Sequence, residues 1–188
     1  MEVTVLGEAG YDFALRGMAY SYFRNDENPN DWWESQREKA QKRAKILANK
    51  DGGHNKFIES VIVWIDVNAS RAFWSEMDTY RVGMTKQSTS TMHTLSKRPP
   101  INSDFEEGTP FYIIQQFYSH WEQKKDDICA LKHGLPESFM QRRVLCTNYK
   151  TLRNIISQRK GHRYKYWDMF IEQLVSQLEH PELVEDLL

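Results

Sequence analysis

The run Phe57–Val67, FIESVIVWIDV, constrains this chain more than any other stretch. It is β-branched and apolar, so it reads as a largely buried central strand that needs partners along its edges and cover on its faces. The flanking segments supply both. Glu2–Leu6 alternates polar and apolar residues, a strand's period of two, and Gly7 ends it. Arg143–Cys146 reads as a short strand. Helical spacing runs over Ala9–Phe23 and Trp33–Asn49, the second stopped by Asp51-Gly52-Gly53. Asn25–Asp31 between them is turn chemistry. A helix capped by Asn68 or Ser70 is expected over Ala69–Arg81. Another opens at Thr109-Pro110, carries Phe111, Ile114, Tyr118 and Trp121 on one stripe, and runs to His133 before Gly134. Tyr149–Arg159 and Tyr164–Glu179 complete the set, while Val82–Asp104 reads as a long Ser/Thr-rich loop of the functional kind. The expected fold class is α+β, with a central β-sheet and long flanking helices in a single domain over residues 1–188.

Composition narrows the function classes. Twenty-five basic and 26 acidic residues leave a net charge of −1, which argues against a nucleic-acid partner. No apolar run reaches the roughly 20 residues of a membrane helix, and MEVTVLGEAG lacks the regions of a signal peptide. A soluble, cytoplasmic protein without a membrane partner is expected. Cys129 and Cys146 are too few for a disulfide scaffold or a four-ligand zinc site, and both read as small buried hydrophobes. No metal site is expected. Of the two, Cys146 beside Arg142 and Arg143 is the better nucleophile candidate.

Gly-rich phosphate loops, GxSxG, HExxH and CxxC are all absent from the sequence. The charge pattern is more informative. Gln141–Lys165 holds Arg142, Arg143, Lys150, Arg153, Arg159, Lys160, Arg163 and Lys165 without one acid. A solvated helical face is the plain explanation. Asn148 and Asn154 on the same segment add amides beside guanidiniums, a mixture suited to a ligand that joins phosphates to a heterocycle. Arg159, just before Gly161, is placed to reach across an opening. Arg81-Val82-Gly83-Met84-Thr85-Lys86-Gln87-Ser88-Thr89-Ser90 passes from a helix-ending arginine into a row of hydroxyls, which suits either a phosphate cradle or a plain surface loop.

In this order the segments resemble the flavin-dependent thymidylate synthases. His54-Asn55-Lys56-Phe57-Ile58-Glu59 stands where that family has a spaced His and Glu, and SVIVWIDVNASRAFWSEMDTYR resembles its next strand and helix, including Glu76. The family signature, R-H-R and a Ser after seven intervening residues, is represented by Thr79, Tyr80, Arg81 and Thr89, with Thr91 where a further Arg is usual. Lys132 precedes Leu135-Pro136, and TNYKTLRNIISQR resembles the family's T-x-N-x-R-x-L-x-x-F-L-x-x-R; His162 and Trp167 echo its H-A-Q-W. The likeness spans His54 to Trp167.

The resemblance implies FAD held by His54, Glu59, Arg81, Asn148, Lys150 and Asn154. It implies a pyrimidine deoxynucleotide held by Glu76, Gln87, Ser88, Thr89, Lys132 and Arg159, with Arg159, Thr89 and Arg81 as the catalytic group. The implied reaction moves a one-carbon unit from methylenetetrahydrofolate to C5 of dUMP, giving dTMP, with NADPH as reductant in a homotetramer. Hydroxymethylation, another nucleotide, or a non-catalytic nucleotide- or flavin-binding protein are the alternatives. Lys86, Lys132, Arg142 and Arg143 are the candidates to replace the signature cations that are missing. Trp33, Trp74 and Trp121 are expected at a subunit interface.

Overall fold

A computed structural model describes residues 1–50 and 52–188. Four strands form one antiparallel sheet in the order β1-β2-β4-β3: β1 Glu2–Ala9, β2 Ile62–Ser70, β3 Met84–Ser88 and β4 Met140–Asn148. Among the described residues the α-helices are α1 Tyr11–Ala19, α2 Pro29–Ala48, α3 Arg71–Met77, α4 Thr91–Thr94, α5 Phe111–Lys124, α6 Ile128–His133, α7 Tyr149–Arg159 and α8 Tyr166–Val175. The α+β class with a central sheet is what the sequence predicts.

The sheet's register explains its two faces. Val63, Ile65 and Val67 lie opposite Thr147, Leu145 and Arg143, and Met84 and Lys86 lie beside Thr147 and Leu145. This face is covered: Val63, Ile65, Val67 and Leu145 are fully buried with Phe73, Trp74, Tyr149, Trp167 and Phe170. The other face carries Trp64, Asp66 and Asn68 opposite Cys146, Val144 and Arg142, and Trp64 is exposed. A second hydrophobic cluster, separate from the first, joins Leu95, Phe105, Phe117, Trp121, Leu131 and Leu135 under α5 and α6.

Several expected boundaries shift for local reasons. β1 continues past Gly7 to Ala9 through a register break between Val5 and Gly7; glycine marks an irregularity there rather than an end. α1 closes at Ala19, followed by a 3-10 turn over Tyr20–Tyr22. Phe57 lies outside the central strand: Lys56–Ser60 is a 3-10 turn, and β2 begins at Ile62. α2 starts at Pro29 because the Asn28 side chain accepts from the N–H groups of Asn30 and Asp31 at 2.9 and 3.2 Å, with proline at the first helical position. Asn28→Ala should therefore cost about 1 kcal/mol, read as a lower urea midpoint. Part of its predicted stop, Asp51, falls outside the described residues.

Ser70, not Asn68, caps α3, and that helix ends at Met77, not Arg81. The predicted 82–104 loop contains β3 and α4. The long predicted helix to His133 breaks into two where Asp127 caps α6 by accepting from Ala130 N at 3.0 Å. Thr109 does not cap α5; its hydroxyl donates to the Glu106 carbonyl. On the expected stripe Trp121 is buried, but Phe111 and Tyr118 are exposed and Phe117 takes the inner position. β4 is longer than its expected core, α7 matches its expected range, and α8 covers only Tyr166–Val175. Cys129 is exposed, correcting its reading as buried, and Cys146 is half-buried. Trp33, Trp74 and Trp121 lie within the chain's own cores, so they supply no interface. Among the described residues no helix is long and apolar enough to cross a membrane.

Candidate functional site

The expected site residues fall in distinct places, each set by its element. The first is the C-terminal end of α7. Antiparallel β4 passes at Asn148 into α7, whose N-cap is the Asn148 side chain accepting from Thr151 N at 2.9 Å. The helix returns beneath the sheet and delivers Arg159 to α3. There Arg159 Nη1 donates to Glu76 Oε2 at 2.9 Å and Nε donates to the Tyr80 hydroxyl at 2.8 Å. Its guanidinium carbon lies 4.7 Å from the Trp167 ring centroid. Trp167 Nε1 donates to the same Glu76 oxygen at 2.7 Å, and His162 Nε2 stands 3.2 Å from Arg159 Nη1. The Tyr80 hydroxyl donates onward to Gln158 Oε1 at 3.0 Å, and Gln158 Nε2 to Asn154 Oδ1 at 2.9 Å. Glu76, Arg159 and Asn154 are thus brought into one connected network through Tyr80, the second signature position, and Gln158, which the sequence did not single out.

The charge balance at this end is finely arranged. Among the described residues Arg159 Nη2 donates no hydrogen bond and Glu76 Oε1 accepts none, and neither is an enclosed atom lacking a partner. One donor and one acceptor therefore flank the ion pair and face outward. Beside Ser70 and Tyr164 lies Glu106, which sequence reasoning missed because no motif contains it. Burial pushes its carboxyl upward, against the opposing influence of the Ser70 and Tyr164 hydroxyls.

The second place is a cavity of about 970 Å³ between α1, α2 and the 3-10 turn over Lys56–Ser60. His54 and Glu59 line it, with Phe13, Met18, Leu47 and Phe57 as apolar wall and Arg43, Lys50 and Lys56 as cations. Arg43 stacks on Tyr22 at 4.2 Å. Lys150, from the first turn of α7, donates to the buried Asn55 side chain, so it stands beside the His54 turn.

The third place is the far end of the sheet. Gln87 is on edge strand β3 opposite Val144, on the same face as Arg142, and Ser88 is opposite Arg143. Thr89 lines a cavity of about 580 Å³ with Thr91, Asn68 and Arg142, over Trp121 and Phe139. Neither cavity is lined by Arg159, Glu76 or Lys132. Lys132 is exposed in the last turn of α6, and Arg81 is exposed in the turn after α3; no hydrogen bond or ion pair among the described residues joins either to the other site residues.

Three of the expected replacement cations are engaged in the fold. Lys86 donates to the carbonyls of Met77 and Tyr80 at 2.9 and 2.8 Å and pairs with Asp78. Arg143 binds both Asp78 oxygens and lies 4.4 Å over the Trp74 ring. Arg142 pairs with Glu2. The acid-free basic segment is largely neutralised by distant acids, since Arg153 also pairs with Asp186. Thr79, in the first signature position, donates its hydroxyl to the Glu76 carbonyl.

No protein-family model matches this chain, and no curated protein does. Solved structures match it along its whole length. Two crystal structures of thymidylate synthase X (ThyX) from Helicobacter pylori, both with FAD and dUMP, superpose with TM-score 0.77 at 17% and 16% identity, covering 100% of this chain and 98% and 100% of theirs. The UMP/dUMP methylase PolB from Streptomyces cacaoi, bound with 5-Br dUMP, gives 0.73 at 14% identity over 98% of this chain and 93% of its own. The chain has the fold of these proteins.

Proposed function

We propose that this protein is a flavin-dependent enzyme transferring a one-carbon unit from methylenetetrahydrofolate to C5 of a pyrimidine deoxynucleotide, dUMP to dTMP. The observation that carries the reading is the Arg159–Glu76–Tyr80–Trp167 network, an arginine immobilised at a helix end with one donor left facing outward. Whole-length likeness to dUMP-binding and dUMP-methylating proteins supports it.

FAD fits the donor set of the 970 Å³ cavity. That volume is at the upper end of ligand pockets, roughly 300–1,000 Å³. The apolar wall suits a planar ring, and Arg43, Lys50 and Lys56 suit a pyrophosphate. In this reading His54 and Glu59 in this cavity, Lys150 near it, and Arg81, Asn148 and Asn154 outside it would hold the cofactor, which would supply electron transfer with NADPH as the source of electrons. Asn154 Oδ1 is taken by Gln158, so the amide nitrogen is the group turned to the ligand. Gln87, Ser88, Thr89 and Lys132 hold the phosphate, and Arg159 polarises a ring carbonyl as negative charge develops on the base.

The separation of these groups within one chain supports a homotetramer, in which Lys132 and the Thr89 cavity of one copy complete the site of another. The tetrameric reading rests on that separation, since Trp33, Trp74 and Trp121 are internal. Purified protein should be yellow or quench added FAD fluorescence with micromolar or tighter affinity, and light scattering should give four times the 22.3 kDa chain mass. A colourless protein that leaves FAD fluorescence unchanged removes the enzymatic reading, and a monomer at micromolar concentration removes the shared site.

The altered signature positions, Thr79 and Tyr80, and the likeness to a UMP/dUMP methylase favour one second reading. The scaffold then serves another pyrimidine nucleotide or adds a hydroxymethyl group, and product analysis with UMP, dUMP and dCMP separates it from the first.

A further inference from the structure

The structure assigns Glu76 the role of reading the base: with Arg159 it recognises the imide edge of uracil and rejects cytosine. This inference rests on the pyrimidine-nucleotide reading above and adds the residue that selects the base.

Two donors, Arg159 Nη1 at 2.9 Å and Trp167 Nε1 at 2.7 Å, occupy the same carboxylate oxygen, Glu76 Oε2. Oε1 is left as an acceptor, and a carboxylate has no proton to offer in return. Arg159 Nη2 is likewise left as a donor among the described residues. The ion pair thus offers a ligand one acceptor from Glu76 and one donor from Arg159. Uracil presents the complement, an N3–H donor next to a carbonyl oxygen. Cytosine held in the same orientation by its sugar and phosphate presents N3 as an acceptor there, which would meet the carboxylate lone pairs, and its 4-amino donor would meet the Arg159 donor.

Neither half of the pair is free to reverse its pattern. The Arg159 guanidinium is fixed by the Tyr80 hydroxyl on Nε and by the Trp167 face at 4.7 Å. Glu76 is fixed by its two donors and sits on α3, whose Ser70 cap and buried Phe73, Trp74 and Met77 anchor the helix. A group that reads hydrogen bonds discriminates well only when it is held in place, because a mobile one adapts to the wrong partner.

Glu76→Gln makes a directional test. Arg159 Nη1 and Trp167 Nε1 both donate, so the amide oxygen must take the place of Oε2 and the NH₂ group must take that of Oε1. The outward acceptor becomes a donor, with volume unchanged. In calorimetric titrations of the FAD-loaded protein, wild type should bind dUMP at least about tenfold tighter than dCMP, one charge-assisted hydrogen bond's worth. Glu76→Gln should shift that ratio toward dCMP by about tenfold or more. Wild-type protein should also bind the N3-methylated dUMP analogue about tenfold more weakly than dUMP, a measurement that does not depend on the variant folding.

A wild-type protein that binds dUMP and dCMP equally, or dUMP and its N3-methyl analogue equally, overturns the assignment of Glu76 and leaves the function proposal standing. So does a folded Glu76→Gln protein with an unchanged ratio. A wild-type protein that binds no pyrimidine nucleotide overturns the function proposal and this inference with it.

Discussion

Arg159→Ala is expected to cost about 2–4 kcal/mol of transition-state stabilisation, the scale of losing a donor to developing negative charge. The structure adds a second, smaller effect. Arg159 is only 17% exposed in its side chain and pairs with Glu76, Tyr80 and the Trp167 face. Its removal should also lower folding stability by about 1–2 kcal/mol. Turnover must therefore be expressed per folded molecule, with the urea midpoint measured on the same preparation. Arg159→Lys keeps charge but cannot bond Tyr80, Glu76 and a ligand from one planar group, so it should recover little of kcat/KM. Intact turnover per folded Arg159→Ala molecule would make the residue purely structural and refute its assignment.

The largest stability effect is expected at Trp167. It is completely buried, packs at 4.7 Å from Phe73 and 5.9 Å from Phe170, and supplies the hydrogen bond that holds Glu76. Trp167→Ala should destabilise by about 3–5 kcal/mol through the cavity it leaves. That is a large share of the roughly 5–15 kcal/mol by which a domain is stable. Trp167→Phe restores most of the volume but leaves Glu76 with Arg159 alone, so its stability should return most of the way while nucleotide affinity stays low. Equal urea midpoints for wild type and Trp167→Ala would contradict the packing role.

What the sequence makes legible follows from how local each signal is. The α7 boundaries can be read from Asn148 and Gly161 because both act within one turn of the helix. The central strand is recognisable as strand, yet its start is misplaced, since Phe57 and Ile58 are as apolar as the strand but bury through a 3-10 turn. β3 is hidden because a five-residue, polar edge strand has little side-chain signal; only its pairing with β4 makes it a strand. Arg159 and Glu76 can each be picked out by resemblance, but their mutual bond joins residues far apart in sequence. Tyr80 and Gln158 fall inside resembling segments without a role read for them, Glu106 falls in none, and their contacts emerge only when α3, α7 and the segment before α5 meet. The basic segment misleads for the same reason: its acids, Glu2, Asp78 and Asp186, lie elsewhere in the chain.

The strand order carries a consequence for synthesis on the ribosome. β4 lies between β2 and β3, although it is made after both. Until Met140–Asn148 has emerged, β2 has only β1 to pair with and β3 has no partner at all. The nascent chain must carry one edge of its most apolar strand unpaired through the production of α3, α4, α5 and α6. Such an edge is a template for pairing with another chain, and long-range pairing of this kind is slow to form. Premature termination anywhere before β4 therefore releases fragments with the sheet's centre open, and the chain's most dangerous moment comes before its site exists.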